Sequence, residues 1–194
     1  MKITKIETTL FEYKLDRSMG DANSPMGRKK ASGCVLELIT DEGISGISIG
    51  GQNALPQINS IFDGILLNND PKAIFSIWKR MVEKYFKGGH DGIANDAISA
   101  IDVALWDLKA KINEEPLWKT LGGNNNKVNV YASDIALPIN DDDLFNWYSK
   151  MSDKFGFKGG KLKVGLDQES DLKRLELMHN ALSKNCDDPI LYVD

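Results

Sequence analysis

From residue 128 onward, short apolar runs and helical periods follow one another in strict alternation: residues 128–132 and 160–164 read as strands, 141–154 and 170–183 as helices, and 189–193 as a third strand. A strand followed by a helix-length segment and another strand does not form a hairpin, because the helix carries the chain back along the sheet. The sheet is therefore parallel, with the helices as crossovers. That single pattern excludes an all-helical bundle and an all-β sandwich for this half.

In parallel sheets of this kind, ligands and reacting groups gather at the carboxyl ends of the strands. Lys161-Leu162-Lys163 closes the strand 160–164, and Asp194 closes the strand 189–193. With a two-residue period both lysines leave the strand on one face, their Cα atoms ~6.6 Å apart. Two such cations repel each other, which pushes one of them toward being a usable base. Asp194 is a hard oxygen ligand that suits Mg²⁺. Together these groups suit removal of a proton next to a carboxylate. Lysines two apart also occur on solvated strand edges, and an aspartate after an apolar strand is an ordinary helix N-cap, so spacing alone does not choose between the two readings.

The first half has a different grammar. Residues 2–13 read as a half-buried strand, and 33–39 with 44–49 as a hairpin around Asp41-Glu42-Gly43. Between them, residues 16–30 are polar and rich in Gly, Pro, Asn and Asp, which predicts a long loop. Segments 56–67 and 71–86 carry apolar residues at helical spacing, each with a proline near its start. The clearest helix follows Gly88-Gly89-His90-Asp91-Gly92: Ile98, Ile101, Leu105, Leu108 and Ile112 form one stripe, and Ala97, Ala100 and Ala104 a second, small-residue row that lets another backbone come close. Pro116 marks its end, and Leu121-Gly122-Gly123-Asn124-Asn125-Asn126 predicts a domain boundary, giving domains 1–125 and 126–194.

Several residues that could carry chemistry have plainer readings. His90 reads as a turn or cap residue, Asp102 and Asp107 as helix-surface or capping carboxylates, and Gly43, Gly46, Gly50 and Gly51, which lack GxGxxG spacing, as strand turns and bulges. His90 and His179 lack a metal-site spacing, and Cys34 and Cys186 read as reduced thiols, too few for a disulfide framework or zinc cage. The net charge of -4, with no basic run beyond Arg28, Lys29 and Lys30, excludes nucleic acid as the expected partner. No apolar run reaches membrane length and the start lacks a signal-peptide core, which predicts a cytoplasmic protein without a membrane partner. With 42% hydrophobic and 27% charged residues, a disordered chain is excluded.

The run Ala97-Ile98-Ser99-Ala100-Ile101-Asp102-Val103-Ala104-Leu105-Trp106-Asp107-Leu108-Lys109-Ala110-Lys111, followed by Pro116-Leu117 and Leu121-Gly122-Gly123, resembles the signature of mandelate racemase and muconate lactonizing enzymes of the enolase superfamily. Val130-Tyr131-Ala132-Ser133, Lys161-Leu162-Lys163-Val164-Gly165 and Leu191-Tyr192-Val193-Asp194 follow in that family's order. The resemblance implies an α+β capping domain and then the start of a TIM-type (β/α) barrel, with Lys163 as the base, Lys161 its companion near the substrate carboxylate and Asp194 the first of three acidic Mg²⁺ ligands. It also implies proton abstraction through an enediolate, a small carboxylate substrate such as an acid sugar, a dehydratase or racemase activity, and a homo-oligomer. Residues 16–30 and 50–54 resemble the family's two specificity loops. Thr120, Gly51 and Met178-His179-Asn180 depart from the pattern, the first with an expected effect on packing. Residues 127–194 supply two βα units and one strand of the eight units a TIM barrel needs, which implies an incomplete chain. The competing class is a non-catalytic interaction module derived from the capping domain.

Overall fold

Two three-stranded sheets organise the chain, one in the order β1-β2-β3 and one in the order β4-β5-β6. The structure is a computed structural model and describes residues 1–88, 92–134, 137–165 and 167–194. Contacts divide it into two compact units, Met1–Tyr13 with Ser32–Asn126, and Lys14–Ala31 with Lys127–Asp194.

The first sheet corrects one expectation. Residues 16–30 are not a loop: β1 (Ile3–Asp21) and β2 (Ser24–Thr40) are long strands separated only by Ala22 and Asn23. The Asp21 carboxylate accepts from the amides of Asn23 and Ser24, each at 3.0 Å, and so closes the turn by itself. Gly27, at φ 64, lies against the main chain of Met19, where a Cβ would stand 2.4 Å from the carbonyl oxygen. The turn-forming residues are thus spent singly inside a ribbon rather than pooled in a loop.

The expected second hairpin is present. β2 pairs antiparallel with β3 (Ser45–Gly50) from Cys34↔Gly50 to Ile39↔Ser45. That register is unbroken, so Gly46 and Gly50 are not bulges, contrary to their sequence reading. They are small because α3 (Gly92–Ile112) lies directly against β3: a Cβ on Gly46 would come within 2.1 Å of the Ala104 carbonyl oxygen. The Ala97, Ala100, Ala104 row therefore does what its spacing predicts, and Ser48 Oγ donates to the Ala100 carbonyl at 2.6 Å. Because β3 is an edge strand, its outward main chain needs partners. Helix side chains supply them: Ile47 N donates to Asp107 Oδ2 at 2.8 Å, and Lys111 Nζ to the Ser45 carbonyl at 3.0 Å.

α1 (Leu55–Ile61) continues into a wider turn over Phe62–Leu66, and α2 spans Ile74–Tyr85. α2 starts three residues later than its proline suggests, since Asp70 first turns the chain by accepting from Lys72 N at 2.9 Å. Ile3, Leu36, Leu38, Ile58, Ile61, Leu66, Ile77, Met81, Ile101 and Leu105 form this unit's core. After α3 the chain makes the short α4 (Leu117–Thr120), where Thr120 Oγ1 donates to Glu115 Oε1 at 2.9 Å. The expected turn or cap role of His90 lies outside the described residues.

In the second unit, β4 (Ala132–Asp134), β5 (Gly159–Leu162) and β6 (Ile190–Val193) are parallel, as the alternation predicts, with α5 (Asp141–Phe155) and α6 (Gln168–Leu182) as crossovers. The first strand is displaced toward the C-terminus: pairing begins at Ala132↔Gly160, so residues 128–131 lie before the ladder and stay exposed. Gly160 and Leu162 face the helices, and a Cβ on Gly160 would stand 2.8 Å from the Tyr148 ring. Leu144, Tyr148, Leu162, Met178, Ala181 and Leu182 close the core. The tip of the β1–β2 ribbon belongs to this unit, and Gly20 accepts from Leu137 N at 3.3 Å.

Candidate active site

Strand alternation sends Leu162 into the core and leaves Lys161 and Lys163 on the opposite face. The ladder between β5 and β6 runs on past the strand ends: Asp194 N donates to the Leu162 carbonyl at 3.1 Å and Val164 N to the Asp194 carbonyl at 3.0 Å. Asp194 therefore sits beside Lys163 in register, on the lysine face. Its Oδ2 accepts from Lys163 Nζ at 2.5 Å and pairs with Lys161 Nζ as well. All three sequence-chosen residues meet at one carboxylate oxygen, at the carboxyl ends of two adjacent parallel strands.

The electrostatics differ from the sequence expectation. Two lysines alone would lower each other's proton affinity, but both ammonium groups pair with one carboxylate oxygen. Its hydrogen bond is the main cause that raises the Lys161 pKa above the ordinary lysine value. Conversely, hydrogen bonds from Lys161 and then Lys163 hold the Asp194 carboxyl well below the usual carboxylate range, at about 2. Asp194 is thus an anion at every physiological pH.

Two supports around the lysines escaped the sequence reading. Tyr148 Oη, from α5, donates to the Lys161 carbonyl at 2.5 Å. Tyr131 and Tyr192 pair with ring centroids 4.7 Å apart, and Tyr131 adds to the electrostatic field on Lys161. Tyr192 stands two residues before Asp194, so its place on the site face was available from the same period that placed the lysines. Asp102 and Asp107 lie on α3 in the first unit, where Asp107 serves the edge of β3. His179, in the last turn of α6, contacts Ser183 Oγ at 3.4 Å, and Cys34 and Cys186 are free thiols.

As a metal site the arrangement is partial. Asp194 offers the hard oxygen that Mg²⁺ prefers. Among the described residues, however, no three His, Cys, Asp or Glu side chains cluster. The donor set fits one position of a magnesium coordination sphere.

The sequence model described as "Mandelate racemase / muconate lactonizing enzyme, N-terminal domain" matches residues 5–122. The chain belongs to this family. The mandelate racemase and muconate lactonizing enzymes fall within the enolase superfamily, whose α+β capping domain and opening barrel strands are the two folds described above. Among curated relatives, a 3,6-anhydro-alpha-L-galactonate cycloisomerase of Streptomyces coelicolor is 35% identical over 142 residues, 70% of this chain and 38% of that protein. An L-talarate/galactarate dehydratase of Salmonella typhimurium is 31% identical over 195 residues, 93% of this chain and 48% of that protein. Among solved structures, a racemase from Streptomyces coelicolor, crystallised with bound magnesium, superposes with a TM-score of 0.89 at 30% identity, covering 99% of this chain and 54% of the other. The chain thus spans half or less of the length of these two curated relatives. No helix among the described residues is long and apolar enough to cross a membrane.

Proposed function

We propose that this chain supplies the proton-abstracting side of a family active site: Lys163 takes the proton next to a substrate carboxylate, Lys161 steadies that carboxylate, and Asp194 is one ligand of Mg²⁺. The observation that carries the reading is the convergence of Lys161, Lys163 and Asp194 at the carboxyl ends of β5 and β6. An ammonium held by a carboxylate is a poor base. A cation bound at Asp194 would compete with Lys163 Nζ for that oxygen and would leave the Lys163 amine free to face the substrate. Bound Mg²⁺ supplies positive charge against which the substrate's enediolate oxygens are stabilised. Lys161, also cationic, adds to that field from the neighbouring strand position.

The residues 1–125 serve as the capping domain and 126–194 as the first βαβαβ portion of the barrel in this proposal. The names of the relatives favour an acid-sugar substrate, with dehydration, or racemisation and epimerisation, as the outcome. Free thiols at Cys34 and Cys186 support a reducing compartment, the cytoplasm.

The test follows α-proton exchange with solvent deuterium by NMR in the protein carrying this chain, using MgCl₂ and a panel of galactarate, galactonate and arabinonate. Lys163→Ala is expected to abolish exchange on whichever acid shows it. Exchange that persists at the wild-type rate in Lys163→Ala refutes the role given to Lys163.

A further inference from the structure

Arg174 is the one charged residue that is buried among the described residues, 7% exposed. It stands four and eight positions before Met178 and Leu182, on the stripe that α6 turns to its core. Three-four spacing would place an apolar side chain there. A guanidinium in that position is costly unless its donors are used. Its Nη1 donates to the main-chain carbonyl of Lys163 at 3.4 Å.

The other end of that same peptide unit is also held. Val164 N donates to the Asp194 carbonyl at 3.0 Å, and one turn earlier on α6 the Asp171 carboxylate accepts from Gly165 N at 2.8 Å. The peptide plane joining Lys163 to Val164 is therefore gripped by α6 at its oxygen and by the β6 end at its nitrogen, just past the last residue of β5. The preceding peptide is held as well, since Asp194 N donates to the Leu162 carbonyl at 3.1 Å; with the planes on both sides of the Lys163 Cα fixed, so is the direction in which its Cα–Cβ bond leaves the strand.

We infer that Arg174 is a positioning residue for Lys163: by holding the Lys163 carbonyl it aims the Lys163 ammonium at the Asp194 carboxylate. The catalytic meaning of this role rests on the reading of Lys163 as the base. The aim itself does not, and can be measured without turnover.

The experiment uses Arg174→Met, which keeps the length of the stem and removes the donors, and reads NMR order at the Cε of each lysine together with amide exchange at Val164. Val164 exchange is expected to quicken about tenfold. Lys163 Cε is expected to loosen to the mobility of a solvent-exposed lysine while Lys161 Cε, whose carbonyl is held by Tyr148, keeps its order. Arg174→Lys, with one donor head in place of a fork, is expected to restore part of the loss, and it carries the same selective readout if Arg174→Met does not fold. Equal loosening of both lysines, or none at Lys163, would mean that Arg174 only fills the core, and the inference falls. Persistent α-proton exchange in Lys163→Ala would instead remove the base assignment and leave the aiming intact.

Discussion

Asp194 is the residue on which the site's charge balance turns. Its folded pKa is about 2 against an ordinary 3.8, so the two lysines stabilise the fold fully above about pH 4, and that contribution is lost as pH falls toward 2. Carboxyl ¹³C shifts during an acid titration should place the Asp194 midpoint near 2, and in Lys161→Met/Lys163→Met it should return toward 3.8. A wild-type midpoint at the ordinary value would show that the ion pairs do not persist in solution. Lys161 works at the opposite end, its raised pKa giving a contribution present below the ordinary 10.5 and lost as pH rises past it. The meeting of Lys161, Lys163 and Asp194 was legible because strand alternation is a strict period. The direction of the Lys161 shift was not, since it depends on how close Asp194, on the adjoining strand, comes to it.

The packing of α3 on β3 sets how much change the first unit tolerates. Gly46→Ala drives a methyl into the Ala104 carbonyl, which neither backbone can yield without breaking the helix or the ladder. A loss of about 2 kcal/mol or more is expected in urea unfolding, against a few tenths for Gly51→Ala, whose added Cβ would have its nearest neighbour 3.5 Å away. Asp107→Ala leaves Ile47 N without its acceptor and should cost about 1–2 kcal/mol by the same measurement. The alanine row was readable as a close-approach face, but its partner was not: glycines in a strand signal bulges and close contacts alike, and only the unbroken β2–β3 register separates them. The β1–β2 ribbon was missed for a related reason. Its turn needs only Asp21 and two further residues, while the other turn formers, such as Gly20, Pro25 and Gly27, sit within the paired strands, where their local preference argues against the structure they adopt.

At the scale of the whole molecule, the way the polypeptide passes between its two units governs how it comes apart. The helix–strand alternation announced the parallel sheet, whereas the membership of the ribbon tip in the second unit came only with the fold. That membership means the polypeptide changes units at 13–14, at 31–32 and again at 126–127. A protease that nicks the asparagine-rich linker would therefore release no self-sufficient half: the tongue formed by Lys14–Ala31 travels with the N-terminal fragment while its neighbours remain on the other, so the two pieces should co-elute.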